Sequence, residues 1–121
     1  MPSLNTVEQF VALVEQRKFV EAIEGFYTED ASMQENLAAP RIGLANLVAH
    51  ERQVMARFPT VRVERAGPLW IQGEQVVINW IFEMTDAAGR TTRLDELTRQ
   101  RWRGEKIVEE RFYYDPGPAR G

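Results

Sequence analysis

Cysteine is absent from this chain of 121 residues, and histidine occurs once, at His50. Without cysteine there is no disulfide scaffold, no thiolate metal site and no cysteine nucleophile. A single histidine also disfavours a zinc site, although carboxylates alone can hold a hard cation. We therefore expect a protein that works without a metal and without another cofactor.

An excess of positive charge is also missing. The chain has 15 lysine and arginine residues against 18 aspartate and glutamate residues, so its formal net charge is −3. A protein that binds DNA or RNA through phosphates needs a basic surface, and this composition does not provide one. The sequence has no run of about 18 apolar residues and no signal-peptide pattern. We expect a cytoplasmic protein with no nucleic-acid partner and no membrane partner.

The N-terminal half of the chain carries helical patterns. The spacing of its apolar residues predicts three helices, over about residues 6–17, 19–27 and 44–58. Asn5 and Glu8 form the pattern of a capping box at the start of the first helix. The helices therefore precede most of the strands along the chain.

From residue 61 onward apolar and polar residues alternate, which is typical of strands. Consecutive strands joined by tight turns form an antiparallel sheet, and strands of this length twist and bend. We expect residues 1–121 to form one α+β domain with three helices packed on one face of a strongly curved antiparallel sheet, and residues 115–121 to form a flexible tail. The predicted strands cover residues 31–34, 61–71, 75–85, 91–103 and 106–114, with a loop over 35–43.

One carboxylate occupies the apolar side of the third helix. At about 100° per residue, the apolar stripe from Leu44 to Phe58 is centred almost on Glu51. An unpaired buried carboxylate costs several kcal/mol, so Glu51 is paired with an arginine, protonated, or facing a cavity. His50 lies at the rim of the stripe, where it is either a surface residue or a group that titrates near neutral pH.

The strand predicted over 91–103 has two different faces. Its arginines share one parity and are expected to point outward, towards solvent or a dimer partner. The other parity carries polar residues between apolar ones. This pattern is typical of a strand that lines a polar patch in an apolar pocket, although a half-exposed strand would alternate in the same way. The residues of this inward parity are Leu94, Glu96, Thr98, Gln100 and Trp102.

Three segments carry a resemblance to a known superfamily: FYTEDASMQEN at 26–36, PRIG at 40–43 and GEKIVEERFYYDP at 104–116. With the order of the elements, they resemble the nuclear transport factor two superfamily, in its SnoaL-like and ketosteroid isomerase-like branch, over nearly the whole chain. The resemblance implies a cone-shaped fold with an internal pocket, a small apolar or mixed-polarity molecule as ligand, and a homodimer formed through the exposed face of the sheet.

The superfamily's functional residues transfer only in part. By resemblance, the general base of ketosteroid isomerase falls on Glu35, in a segment that is otherwise typical of a solvated turn. The oxyanion donors of that isomerase fall on Val11 and Thr98, which disfavours steroid isomerisation. The acid that limonene epoxide hydrolase and the SnoaL-type cyclases carry on the last strand falls on Phe112.

These patterns predict a small-molecule enzyme of isomerase, cyclase or hydrolase type, with Glu35 as base and Glu51 or Glu96 as proton partner in an apolar cup. The alternatives are a non-catalytic ligand-binding module and a dimeric interaction protein. The candidate catalytic residues are Glu35, His50, Glu51 and Glu96. The candidate substrate-binding residues are Met33, Asn36, Trp80, Phe82, Thr98, Gln100, Trp102, Phe112 and Tyr114.

Overall fold

A computed structural model describes residues 1–117, and three helices and seven strands make up this part of the chain. The helices are α1 (Leu4–Glu15), α2 (Phe19–Phe26) and α3 (Leu44–Arg57). The strands are β1 (Tyr27–Glu35), β2 (Arg41–Ile42), β3 (Thr60–Arg65), β4 (Trp70–Gln72), β5 (Gln75–Thr85), β6 (Thr91–Arg103) and β7 (Lys106–Tyr113).

All seven strands belong to one sheet, in the order β2-β1-β7-β6-β5-β3, with β4 paired to β5 outside this path. The pairs β5–β6 and β6–β7 are antiparallel, as the tight turns predicted. The first strand, however, runs parallel to β7, so the sheet is mixed and the expectation of a wholly antiparallel sheet is wrong at this one pair. Parallel pairing joins distant segments through long connections, which turn signals do not reveal. The α+β class, with three helices packed on the sheet, is confirmed.

Several boundaries differ from the sequence prediction. β1 begins at Tyr27 and ends at Glu35, so it extends beyond the predicted strand over 31–34, and the loop predicted over 35–43 contains β2, which pairs with β1. Ser3, rather than Asn5, caps the first helix, because its hydroxyl oxygen accepts a hydrogen bond from the backbone N–H of Thr6 at 3.1 Å. The strand predicted over 61–71 is divided into β3 and β4, because the intervening residues include Gly67, with a φ of 82°, and a proline.

The helices pack against the inner face of the sheet and bury one continuous core. Trp102 is completely buried at the centre, and the ring of Phe10 on α1 meets it edge to face, with ring centroids 6.3 Å apart. Leu47 anchors α3 with 1% of its surface exposed. This core fixes the helices above the concave side of the strands.

The outer face of the sheet is polar with a few exposed apolar side chains. Exposure alternates along the C-terminal half of β6, and its arginines all lie on the exposed side, which confirms the predicted parity. Leu97 is 46% exposed on this face, and Tyr113 lies opposite it on β7. Helices therefore cover only the inner face of the sheet within residues 1–117.

The predicted tail is only partly described. The backbone N–H of Gly117 donates to the Asp115 carboxylate at 2.9 Å, while residues 118–121 lie outside the described residues. None of the helices in residues 1–117 combines the length and apolar character that crossing a bilayer requires.

Candidate active site

A cavity of about 190 Å³ lies between the three helices and the concave face of the sheet. Aliphatic, methionine and aromatic side chains form most of its wall, and the polar groups that interrupt this wall are few. A mainly apolar cavity with a few convergent polar groups is the usual form of a small-molecule site. The aromatic residues of the wall are Phe10, Phe19, Tyr27, Trp80, Phe82 and Phe112.

Four carboxylates from four different elements line this cavity: Glu35 from β1, Glu51 from α3, Glu96 from β6 and Glu110 from β7. Glu51 faces the cavity because it lies at the centre of the apolar stripe of α3. Glu96 faces it because it shares the inward parity of β6. Within residues 1–117, no group of three or more His, Asp or Glu side chains is arranged to hold a metal ion.

Glu35 lies at the mouth of the cavity, where Arg41 and Tyr114 bind its carboxylate and His50 lies nearby. One carboxylate oxygen is 2.8 Å from a guanidinium nitrogen of Arg41 and 4.0 Å from Nε2 of His50, and the other accepts a hydrogen bond of 2.6 Å from the Tyr114 hydroxyl. Burial on its own raises the pKa of Glu35, but the Tyr114 and Arg41 interactions outweigh it, so the pKa lies below its ordinary value. Glu35 is therefore ionised at neutral pH.

His50 stands beside this ion pair. Partial burial, together with the positive charge of Arg41, lowers the pKa of the imidazole, and the nearby Glu35 charge only partly offsets this effect. The side chain is consequently neutral at pH 7 and can donate or accept one hydrogen bond at each ring nitrogen according to its tautomer.

Glu110 is the most deeply buried of the four carboxylates, with 2% of its surface exposed. The Tyr27 hydroxyl donates to one of its oxygens, and the Gln100 amide donates to the other at 2.6 Å. The indole N–H of Trp102 in turn donates to the Gln100 carbonyl oxygen at 3.0 Å, so the amide cannot rotate without losing a bond. Burial raises the pKa of Glu110 to about 7, because the two hydrogen bonds to its charged form offset only part of the desolvation.

The carboxyl group of Glu96 has weaker hydrogen bonding than that of Glu110. The residue is 6% exposed, and within residues 1–117 its carboxyl group accepts one hydrogen bond, from the Thr98 hydroxyl at 3.5 Å. Desolvation, followed by the negative charges of Glu110 and Glu35, raises its pKa to about 8. Burial also raises the pKa of Glu51, although Arg41 partly opposes this shift.

The cavity therefore holds carboxyl groups in different protonation states at one pH. At pH 7 Glu35 is a carboxylate, Glu96 is mostly a neutral acid, and Glu110 is divided between the two forms. Acid/base catalysis requires groups whose pKa values lie near the working pH. Glu96 and Glu110 meet this condition.

The structure distributes the candidate substrate-binding residues over two layers. Met33, Trp80, Phe82 and Phe112 line the cavity together with the candidate catalytic residues. Thr98, Gln100 and Trp102 are completely buried and lie behind the wall, where they support Glu96 and Glu110. Asn36 and Tyr114 are outside the lining, and Asn36 instead forms the turn after β1, where its φ is 49° and its side chain accepts from the Tyr114 backbone N–H.

Sequence reasoning missed Glu110, Tyr27 and Arg41. By resemblance, the superfamily's last-strand acid falls on Phe112, which has no carboxylate, whereas the buried acid of this chain, Glu110, lies two residues earlier on the same strand. A register shift in the β6–β7 pairing places Glu110 opposite Gln100 and leaves Val108 without a partner in the register. The sequence did contain a signal for Glu110: residues two apart on a strand point the same way, so a side chain at 110 faces the same side as Phe112.

Comparison with known proteins places the chain in a family. The model of the SnoaL-like domain family matches residues 7–110. No curated protein matches the sequence. Among solved structures, a protein from Mesorhizobium loti classed with the SnoaL-like polyketide cyclases is 25% identical, with a TM-score of 0.79 and coverage of 94% of this chain and 100% of that one.

Two further solved structures share the fold and hold small molecules. TerC, co-crystallised with polyporic acid, is 20% identical, with a TM-score of 0.78 and coverage of 95% of this chain and 92% of TerC. A protein with a ketosteroid isomerase-like fold from Catenulispora acidiphila, in complex with trimethylamine, is 17% identical, with a TM-score of 0.78 and coverage of 94% and 88%. Because the family model spans most of the sequence, this protein belongs to the SnoaL-like domain family.

Proposed function

We propose that this protein is a small-molecule enzyme that uses carboxylate acid/base chemistry, of isomerase, cyclase or hydrolase type. The observation that carries the proposal is the convergence of four glutamates on one mostly apolar cavity. An apolar surrounding separates the pKa values of such groups, so that a proton acceptor and a proton donor coexist near pH 7. The proposed chemistry needs no metal.

Within this proposal, Glu96 and Glu110 exchange protons with the substrate, and Glu35 is a fixed anion at the mouth. The pKa of Glu35 is lowered by its partners, which makes it a weaker base than a carboxylate whose pKa is raised. Glu35 as the base, the assignment that the family resemblance implied, is the competing assignment. A pH profile separates the two.

The walls favour a small substrate with an apolar body. Trp80, Phe82 and Phe112 present rings to the cavity, and their contact area gives affinity without fixing orientation. TerC and the C. acidiphila protein were both solved with a small organic molecule, which supports a ligand of this size class here. Orientation then depends on His50 and the carboxylates.

The test uses 5-nitrobenzisoxazole, whose isoxazole ring opens when a base removes the C–H proton at position 3: the C–H electron pair forms a nitrile and the N–O bond breaks to give a phenolate. The cyanophenolate product absorbs visible light, so the rate is followed directly. We expect the protein to open the ring at least about 100-fold faster than the same concentration of acetate. The rate should rise with an apparent pKa near 8 if Glu96 is the base and near 7 if Glu110 is the base, whereas it should not change between pH 6 and pH 9 if Glu35 is the base, because the pKa of Glu35 is lowered.

Matched variants assign the reaction to the cavity. Glu96→Gln should remove the step near pH 8, while Asp95→Asn, which changes the adjacent exposed residue on the same strand, should leave the profile unchanged. A rate no greater than that of acetate would refute the enzyme proposal. If the probe bound without reacting, the alternative of a ligand-binding module would replace it.

A further inference from the structure

The polar lining of the cavity is unbalanced in charge. Among the described residues, the basic side chains in the wall are Arg41 and His50. Arg41 is already paired with Glu35 at 2.8 Å, and the pKa of His50 is lowered, so the imidazole is neutral near pH 7. The other three glutamates form no ion pair within residues 1–117, so the cavity contains acidic groups that lack a counter-charge.

Glu96 shows this deficit most clearly. It is more than nine-tenths buried and lines the cavity, and one of its oxygens has only the long bond from Thr98. Its second oxygen accepts no hydrogen bond within residues 1–117. A buried carboxylate is stable in its charged form only when it is paired or well hydrogen-bonded.

The groups that face Glu96 from the surrounding elements do not supply the missing partner. Electrostatic effects on Glu96 come from three other carboxylates, Glu110 on β7, Glu35 on β1 and Glu51 on α3, and all of them raise its pKa. The Tyr27 hydroxyl is directed to Glu110, and the two basic side chains lie at the mouth. A positive charge on a bound molecule would complete the cavity electrostatically.

The wall beside Glu96 also suits a cation. Trp80 pairs with Glu96 across β5 and β6, both side chains are buried on the concave side, and both line the cavity. The Phe82 ring lies 6.4 Å from the Trp80 ring, centroid to centroid, and the Phe19 ring lies 6.5 Å from Phe82. Aromatic faces attract organic ammonium groups, and tryptophan does so most strongly.

We propose that the cavity takes small organic cations, ammonium compounds whose nitrogen carries apolar substituents, with Glu96 as counter-ion and Trp80 as the adjoining wall. This inference rests on the proposed function because it assigns a substrate class to the same cavity. It has a consequence that a neutral substrate does not share: a bound cation favours the ionised form of Glu96, so binding releases protons and strengthens as the pH rises.

The test compares three probes of nearly equal shape: choline, its uncharged carbon analogue 3,3-dimethylbutan-1-ol, and the anion 3,3-dimethylbutanoate. Choline carries a permanent charge, so any pH dependence of its binding comes from the protein. If Glu96 must be ionised for binding, the affinity for choline measured by calorimetry should rise by up to about 90-fold between pH 6 and pH 9. The affinity for the alcohol should not change over this range.

Two further measurements make the result specific. Calorimetry at pH 7.5 in two buffers of different ionisation enthalpy should show proton release on choline binding. Glu96→Gln should reduce choline affinity at pH 9 and remove the part of its pH dependence centred near pH 8, leaving only a smaller rise near pH 7 from Glu110, while retaining the binding of the alcohol; Asp95→Asn should behave as the wild type. The wild-type proton release tests the inference even if Glu96→Gln folds poorly.

Equal affinity for choline and the alcohol at pH 9, where Glu96 is ionised, or choline binding without proton release at pH 7.5, would overturn the inference. So would tighter binding of the anion at low pH, which would mean that the neutral acids donate hydrogen bonds to a negative ligand. In these cases ring opening of 5-nitrobenzisoxazole would still support the enzyme proposal. Failure of all three probes to bind, with no ring opening, would overturn both proposals.

Discussion

Replacing Glu96 by glutamine should stabilise the protein at alkaline pH. In the folded state the pKa of Glu96 is raised to about 8 from an ordinary value of 4.5, because the side chain is desolvated and lies among other carboxylates. The folded chain therefore holds this proton more strongly than the unfolded chain does. The contribution of this proton to the unfolding free energy is fully present below pH 4.5 and is lost as the pH rises to about 8.

The size of this effect follows from the pKa difference. A rise from 4.5 to about 8 corresponds to at most about 5 kcal/mol of unfolding free energy between pH 4.5 and pH 9. Glu110 acts in the same direction, and its contribution is lost as the pH rises to about 7. Glutamine has a similar shape and carries no charge at any pH, so the variant lacks the Glu96 part of this loss.

The assay is urea unfolding of the wild type and of Glu96→Gln at pH 5, 7 and 9. The quantity of interest is the difference in unfolding free energy between the two proteins at each pH, because titrating groups that do not interact with Glu96, such as His50, cancel in it. Glu96→Gln should gain on the wild type by several kcal/mol between pH 5 and pH 9, and Asp95→Asn should stay within about 0.5 kcal/mol of it. A gain below about 1 kcal/mol would show that the ionised carboxylate of Glu96 is solvated or paired, and would refute the electrostatic argument.

Three further predictions concern other contacts. Tyr27→Phe removes one hydrogen-bond donor from the buried Glu110 carboxylate and should lower the unfolding free energy by about 1–3 kcal/mol in urea titrations; an unchanged value would mean that the hydroxyl contributes nothing there. Arg41→Met removes the ion pair of Glu35, so NMR titration should show that the pKa of Glu35 rises, and a constant pKa would contradict the assigned cause. Leu97→Glu places a charge on the outer face of the sheet, and sedimentation should show that it dissociates the homodimer we expect; a monomeric wild type at micromolar concentration would remove that expectation.

Local patterns were sufficient for most of the secondary structure. The runs 75–85 and 91–103 are confirmed at both ends, because each is bounded by turns that contain a left-handed glycine, Gly73, Gly89 or Gly104. The parallel pairing of β1 with β7 had no local signal, since it depends on how distant segments pack. The division at Gly67 shows that alternation can continue across an interruption of the strand.

The site was predictable where one periodicity decides the direction of a side chain. Glu51 was expected to face inward from the helical stripe alone, and it lines the cavity. Glu110 was missed because it follows the exposed Glu109, and two adjacent acids are typical of a solvated strand. Arg41 was placed in a loop, and its contact with Glu35 depends on the pairing of β2 with β1, which tertiary structure determines.

The position of β7 in the sheet has a consequence for synthesis of the protein. This strand lies between β1 and β6 and is the strand that joins the two parts of the sheet. Until β7 is in place, no hydrogen bonds connect the pair β2–β1 to the strands β3 to β6. During translation both edges remain open, and the cavity lacks its deepest carboxylate until the final strand emerges. A chain that ends before Lys106 would therefore present two unpaired strand edges and an incomplete core, which are the features that lead to aggregation and proteolysis.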